Sequence, residues 1–134
     1  MNTKTILLIV AALIVLFGIY KVFFANRVPA DAQLAPDDFE SKMKESGVTI
    51  LDVRSAFEFG GDKIKGARNI SYTQGDFKGQ VEKLDKSGTY LVYCLSGSRS
   101  AGAYNTMKAM GFTNVFHLKG GIDNWKSSGK PVVK

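Results

Sequence analysis

The stretch Val48-Thr49-Ile50-Leu51-Asp52-Val53 is β-branched and too apolar to leave one face in water, which marks it as an interior strand of a parallel sheet covered on both sides. Thr89-Tyr90-Leu91-Val92-Tyr93 is strand-like in the same way, and so is Asn114 to Leu118. Helical spacing separates them. Phe77, Val81 and Leu84 recur every three to four residues and predict a helix closing near Gly88; Ser98 to Met110 reads as a helix stopped by Gly111. Pro36-Asp37-Asp38 opens a helix that runs through Phe39, Met43 and Ser46 to Gly47, with its acidic groups in the first turn. Leu34 is placed in a short edge strand, Arg54 to Gly61 in a loop or single helical turn, and Ala67 to Ile70 in a second short strand. Gly120-Gly121 turns into a last short helix holding Ile122 and Trp125. Strand and helix in regular alternation give an α/β class: a parallel sheet of about five strands with helices on both faces.

Ahead of that pattern lies a segment of different character. Ile6 to Tyr20 is fifteen residues without a charge or strongly polar group, and after Lys21 the run Val22-Phe23-Phe24-Ala25 extends it. Roughly 20 residues of helix match a bilayer core of about 30 Å, with Lys21 near enough to one end to reach the interface. Residues 1–25 therefore read as a membrane anchor. The rival reading is a cleaved secretory signal, with Lys4 as its positive start and Val28-Pro29-Ala30 or Ala30-Asp31-Ala32 as the small-residue cleavage site. In that case the protein is secreted. Lys21, Arg27, Lys42 and Lys44 outnumber Lys4, which directs the remainder of the chain toward the cytoplasm. A short basic N-terminus before an uncleaved signal directs it the other way, to the periplasmic or extracellular face. Residues 26–33, with Pro29 and small polar side chains, read as a linker, and residues 34–134 as one domain.

All twelve acidic residues follow the apolar segment, and setting Lys4 and Lys21 aside reduces the net charge from +6 to +4. The basic residues are scattered among acids, with no arginine-rich stripe, which argues against nucleic acid and suits small anions. One cysteine excludes an internal disulfide, so packing alone must hold the domain.

That cysteine, Cys94, stands where the strand Thr89–Tyr93 gives way to Leu95-Ser96-Gly97-Ser98-Arg99-Ser100 and a helix. Ligands of open α/β sheets collect beyond the carboxyl ends of strands, beside the positive end of the next helix. Gly97 permits a turn in which successive amides point inward as an anion nest. Those amides, the helix N-terminus and the Arg99 guanidinium would favour an ionised sulfur without any histidine. Cys94 is the candidate nucleophile, with Leu95, Ser96, Gly97, Ser98, Arg99 and Ser100 as its anion-binding loop.

Cys94-Leu95-Ser96-Gly97-Ser98-Arg99-Ser100 resembles the active-site loop of single-domain rhodaneses, which are sulfurtransferases. Leu51-Asp52-Val53-Arg54-Ser55-Ala56-Phe57-Glu58-Phe59, followed by Ile64-Lys65-Gly66-Ala67-Arg68-Asn69-Ile70, is similar to a second signature of that family. Met110-Gly111-Phe112, Val115, Leu118-Lys119-Gly120-Gly121 and Trp125 match its closing pattern. The likeness covers roughly Leu34 to Val133. It implies a rhodanese-like fold and a two-step reaction in which Cys94 takes the outer sulfur of a donor such as thiosulfate, becomes a persulfide, and passes the sulfur to a thiol or cyanide. A protein thiol is a further acceptor. It implies no metal and no organic cofactor. Phosphatases of the same fold have one more residue between cysteine and arginine; the four residues here fit phosphate poorly. Asp62-Lys63 stands where the family often has glycine and histidine, and Leu95 where it often has a basic residue, which removes a cation from the loop. A non-enzymatic persulfide carrier, or a docking module at the membrane, is the alternative that Leu95 favours.

Asp52 and Arg54 end another strand and could support the site, although an Asp52 hydrogen bond ordering nearby loops, or an Arg54–Glu58 ion pair, explains them equally well. His117 lies inside an alternating strand without other ligand-type residues at metal spacing, and Trp125 is at helical spacing from Ile122; both read as structural.

Overall fold

The computed structural model describes residues 1–25 and 27–134; Asn26, the first residue of the expected linker, lies outside the described residues. Helix α1 spans Thr3–Ala25, none of it buried against the rest of the chain, and it is long and apolar enough to cross a membrane. A 3-10 turn, Ala30–Ala32, then leads into a five-stranded sheet.

The strands are β1 (Gln33–Leu34), β2 (Val48–Asp52), β3 (Arg68–Asn69), β4 (Thr89–Tyr93) and β5 (Asn114–Leu118), in the order β1-β5-β4-β2-β3 and all parallel. Five helices follow α1: α2 (Pro36–Met43), α3 (Ala56–Phe59), α4 (Phe77–Glu82), α5 (Ser98–Ala109) and α6 (Gly121–Ser127). The two apolar runs recognised in the sequence, β2 and β4, are neighbours at the centre, where both faces must be covered.

Strand alternation divides the side chains into two cores. Leu51, Val53, Tyr90, Val92, Cys94 and Val115 pack with Phe77 and Val81 of α4 and Ala103, Tyr104 and Met107 of α5. On the opposite face Leu91, Tyr93 and Leu118 pack with Phe39 of α2 and Ile122 and Trp125 of α6. Trp125 is core, as its spacing implied, and its indole N–H donates to the Pro131 carbonyl at 2.8 Å.

Three boundaries differ from expectation. α2 ends at Met43 and α4 at Glu82, because tighter backbone bonds, such as Lys44 N–H to Ser41 and Leu84 N–H to Val81, carry the chain through its next turn. The second short strand covers only Arg68–Asn69. Part of the expected linker is also not free: Val28 and Ala32 are buried in the first core, Gln33 belongs to β1, and its amide donates to the Val28 carbonyl at 2.7 Å. The domain's packing therefore begins at Val28.

Candidate active site

Cys94 is the first residue beyond β4, and its loop is shaped from outside. Its carbonyl accepts the Ile122 N–H at 2.9 Å, and the Leu95 carbonyl accepts the Asp123 N–H at 3.1 Å. The first turn of α6 thus draws both carbonyls outward. Gly121 makes the approach possible: it has φ +63°, and a Cβ there would overlap the Leu95 carbonyl and stand 2.6 Å from the Cys94 oxygen.

With the carbonyls turned out, the Gly97 N–H reaches Cys94 Sγ at 3.1 Å, and the Ser100 hydroxyl lies 3.4 Å from the sulfur. Gly97 has φ +112°, a conformation that favours glycine, and it caps α5, whose N-terminus faces the same loop. The sequence points to a cradle formed by the amides of Leu95 to Ser100. Among the described residues, the Gly97 N–H donates to Sγ, and Sγ in turn donates to the Ser100 hydroxyl oxygen. Cys94 has no exposed surface, whereas Leu95, Ser96 and Ser98 are exposed.

Arg99 is already occupied. Its Nη1 and Nη2 donate to the two oxygens of Glu58 at 2.7 and 3.0 Å, with both side chains about a quarter exposed. Glu58 is in turn fixed by a capping box, accepting from the Ser55 N–H and hydroxyl while its own N–H donates to Ser55 Oγ. The Arg99 guanidinium, with the Ser55 hydrogen bonds, holds its carboxyl down to about 2.

Asp52 and Arg54 pair with each other, and the Arg54–Glu58 pair is not formed. Asp52 accepts from the Arg54 N–H at 2.9 Å, from Nε at 3.0 Å and from Nη2 at 2.6 Å, and Nη2 also donates to the Asp62 carbonyl at 2.8 Å. Asn69 bridges the Asp52 and Arg54 carbonyls. This buried knot secures the ends of β2 and β3 and lies against the Tyr93 ring, with the Arg54 guanidinium 5.7 Å from its centre. No group of three or more His, Cys, Asp or Glu able to hold a metal ion occurs among the described residues.

His117 is the residue that sequence reasoning set aside. It alternates with Val115 on β5, so it points to the same face as Cys94, and its Nδ1 lies 2.9 Å from Ser100 Oγ. Burial pushes its pKa down to about 4, so the ring is neutral at neutral pH. A polar residue at a buried strand parity, beside a strand ending in cysteine, is the signal that would have found it.

A parallel α/β sheet with a lone cysteine at the end of its central strand, gripped by the loop that opens the next helix, defines a rhodanese-type domain. The family model for the Rhodanese-like domain matches residues 35–128, and the chain belongs to that family. It is 32% identical over 123 residues to the Bacillus subtilis (strain 168) protein YqhL, covering 92% of this chain and 93% of that one. It is 26% identical over 97 residues to the thiosulfate sulfurtransferase GlpE of Pseudomonas putida, covering 72% and 86%. The crystal structure of a rhodanese-related protein from Thermoplasma volcanium matches with a TM-score of 0.65 at 32% identity, covering 75% of this chain and 96% of that one. Other curated relatives are longer: the chain spans 60% of a Synechocystis protein and about a third of two tRNA uridine(34) hydroxylases.

Proposed function

We propose that the chain is a sulfurtransferase that carries sulfane sulfur on Cys94 and is tethered to a membrane by α1. The Cys94 thiolate attacks the outer sulfur of a donor such as thiosulfate; the donor's S–S bond breaks with its electron pair leaving on sulfite, and a persulfide forms on Cys94. A thiol or cyanide then attacks the outer persulfide sulfur, and the Cys94 thiolate departs. A net positive domain draws in the anionic donor. The observation that carries this reading is the Gly97 N–H aimed at Sγ across a four-residue loop, with the Ser100 hydroxyl beside it. The sulfur has no exposed surface, which favours small donors.

A carrier that loads persulfide without rapid turnover is favoured by one specific observation. Glu58 neutralises Arg99, and Leu95 adds no charge, so the loop offers a donor anion less positive charge than its sequence promised.

Intact mass of the full-length chain in detergent, after incubation with thiosulfate, tests the proposal. A gain of one sulfur on Cys94 that cyanide discharges repeatedly as thiocyanate supports the enzyme, loading without turnover supports the carrier, and no gain overturns both. For α1, recovery of the uncleaved chain with membranes after alkaline extraction supports the tether; a chain cut near Ala30 and found in the medium supports secretion.

A further inference from the structure

We infer that Ser100 and His117 form a proton exit for the Cys94 thiol, with His117 as a positioning residue whose tautomer switches as the sulfur ionises. The inference takes Cys94 as the sulfur-carrying nucleophile just proposed. A sulfur with no exposed surface has to lose its proton through a neighbour. Its neighbours form a line: Sγ to Ser100 Oγ at 3.4 Å, then Oγ to His117 Nδ1 at 2.9 Å. His117 lines a surface cavity of about 330 Å³, bordered by Arg27, Val28, Gln33, Gly97 and Lys119.

The steps balance without an added reactant. In the thiol state Sγ–H donates to Ser100 Oγ, Oγ–H donates to Nδ1, and His117 carries its proton on Nε2. On ionisation the S–H bond breaks as a new Oγ–H bond forms. The old Oγ–H bond breaks as Nδ1–H forms, and Nε2–H yields its proton to water in the cavity. What remains is Nδ1–H donating to Oγ and Oγ–H donating to the sulfur anion. The transfer that removes the proton also turns both dipoles toward the charge it leaves behind.

The surroundings favour a tautomer change over a charged ring. β1 presents Gln33 and β4 presents Val92 in register with His117, α5 presents Ser100, and the charged groups around the cavity, Arg27 and Lys119, are both cationic. Imidazolium would be buried among positive charges. The hydroxyl has one rival acceptor, the Gly97 carbonyl at 3.2 Å, which already accepts the Ala101 N–H at 3.1 Å.

His117 is the only histidine in the chain, so its ring nitrogens can be read without overlap by ¹⁵N NMR of the histidine-labelled full-length chain in detergent. Between about pH 5 and about pH 10 we expect Nε2–H to give way to Nδ1–H in step with ionisation of Cys94, detected in parallel by thiolate absorbance. One tautomer throughout overturns the relay, as does a switch that survives Ser100→Ala. Alkylation by iodoacetamide gives a second readout, of the thiolate population that the dipole facing the sulfur sets and not of the proton's route: His117→Leu slows it about tenfold near pH 7, while His117→Asn, which passes no proton but can still donate to Ser100, stays within about threefold of wild type. Equal rates in the two variants would also overturn it. No readout requires a sulfur donor, so failure to load from thiosulfate leaves the relay standing and refutes the proposed function alone.

Discussion

Glu58 clasps Arg99 across 41 residues of sequence: two N–H donors meet both carboxylate oxygens, at 2.7 and 3.0 Å, and tie the short helix α3 to the first turn of α5. Bidentate geometry fixes the guanidinium plane as well as its charge. The residue expected to hold an anion is paired here with a carboxylate.

Acid stability should report this pair. Glu58 is held at about 2 against an ordinary 4.5, so its contribution is complete above pH 4.5 and is lost as pH falls toward 2. For a pair a quarter exposed the amount is about 1 kcal/mol. Glu58→Gln should remove that slope from the stability profile measured by urea melts between these pH values, and an unchanged slope would refute the assignment.

His117 acts in a higher window. Its pKa is near 4 when folded and 6.5 when free, so the unfolded chain takes up the proton first and stability falls as pH drops from 6.5 toward 4. The fall should be roughly 3 kcal/mol, and His117→Asn should flatten it. The same urea series, extended upward in pH, distinguishes the two residues.

Cys94→Ser should abolish sulfur loading, read as intact mass after thiosulfate, and change thermal stability by no more than about 1 kcal/mol. The hydroxyl can still accept the Gly97 N–H in a pocket built for a side chain of similar shape. Undiminished loading in this variant would remove Cys94 from the reaction.

Gly121→Ala should be far more damaging than an ordinary surface alanine. The Cβ would strike the Leu95 carbonyl from a backbone at φ +63°, so a loss of about 2–4 kcal/mol is expected, with slower Cys94 alkylation in the folded fraction. A melt coincident with wild type would show that α6 does not shape the loop.

Asp52→Ala leaves the Arg54 cation, 4% exposed, without its carboxylate. Loss of a buried partner costs about 3–5 kcal/mol, or more than about 10 °C in Tm for a domain of this size. A melt within about 1 kcal/mol of wild type would show that the knot does not hold the ends of β2 and β3.

The sheet was legible because its strands are short apolar runs bounded by glycine and turn residues. β5 occupies Asn114–Leu118 as expected, and the passage from β4 through Cys94 into α5 follows the change of periodicity after Tyr93. Helix ends were less legible, since Lys44 and Leu84 continue their helices in tighter turns that preserve the spacing of side chains. The cysteine and its glycine were local signals. The partners of Arg99 and Ser100 were not, because Glu58 and His117 arrive from α3 and β5, and only the register Val92 to His117 brings the latter beside the loop. Val28 and Ala32 looked like tether because two small apolar residues beside Pro29 carry no period.

The outward pull on the Cys94 and Leu95 carbonyls comes from Ile122 and Asp123, residues made long after the cysteine itself. A nascent chain that has emerged only to Lys119 displays the thiol but lacks the amides that organise its surroundings. The geometry around the sulfur is thus completed from the far end of the chain, when α6 docks on the sheet.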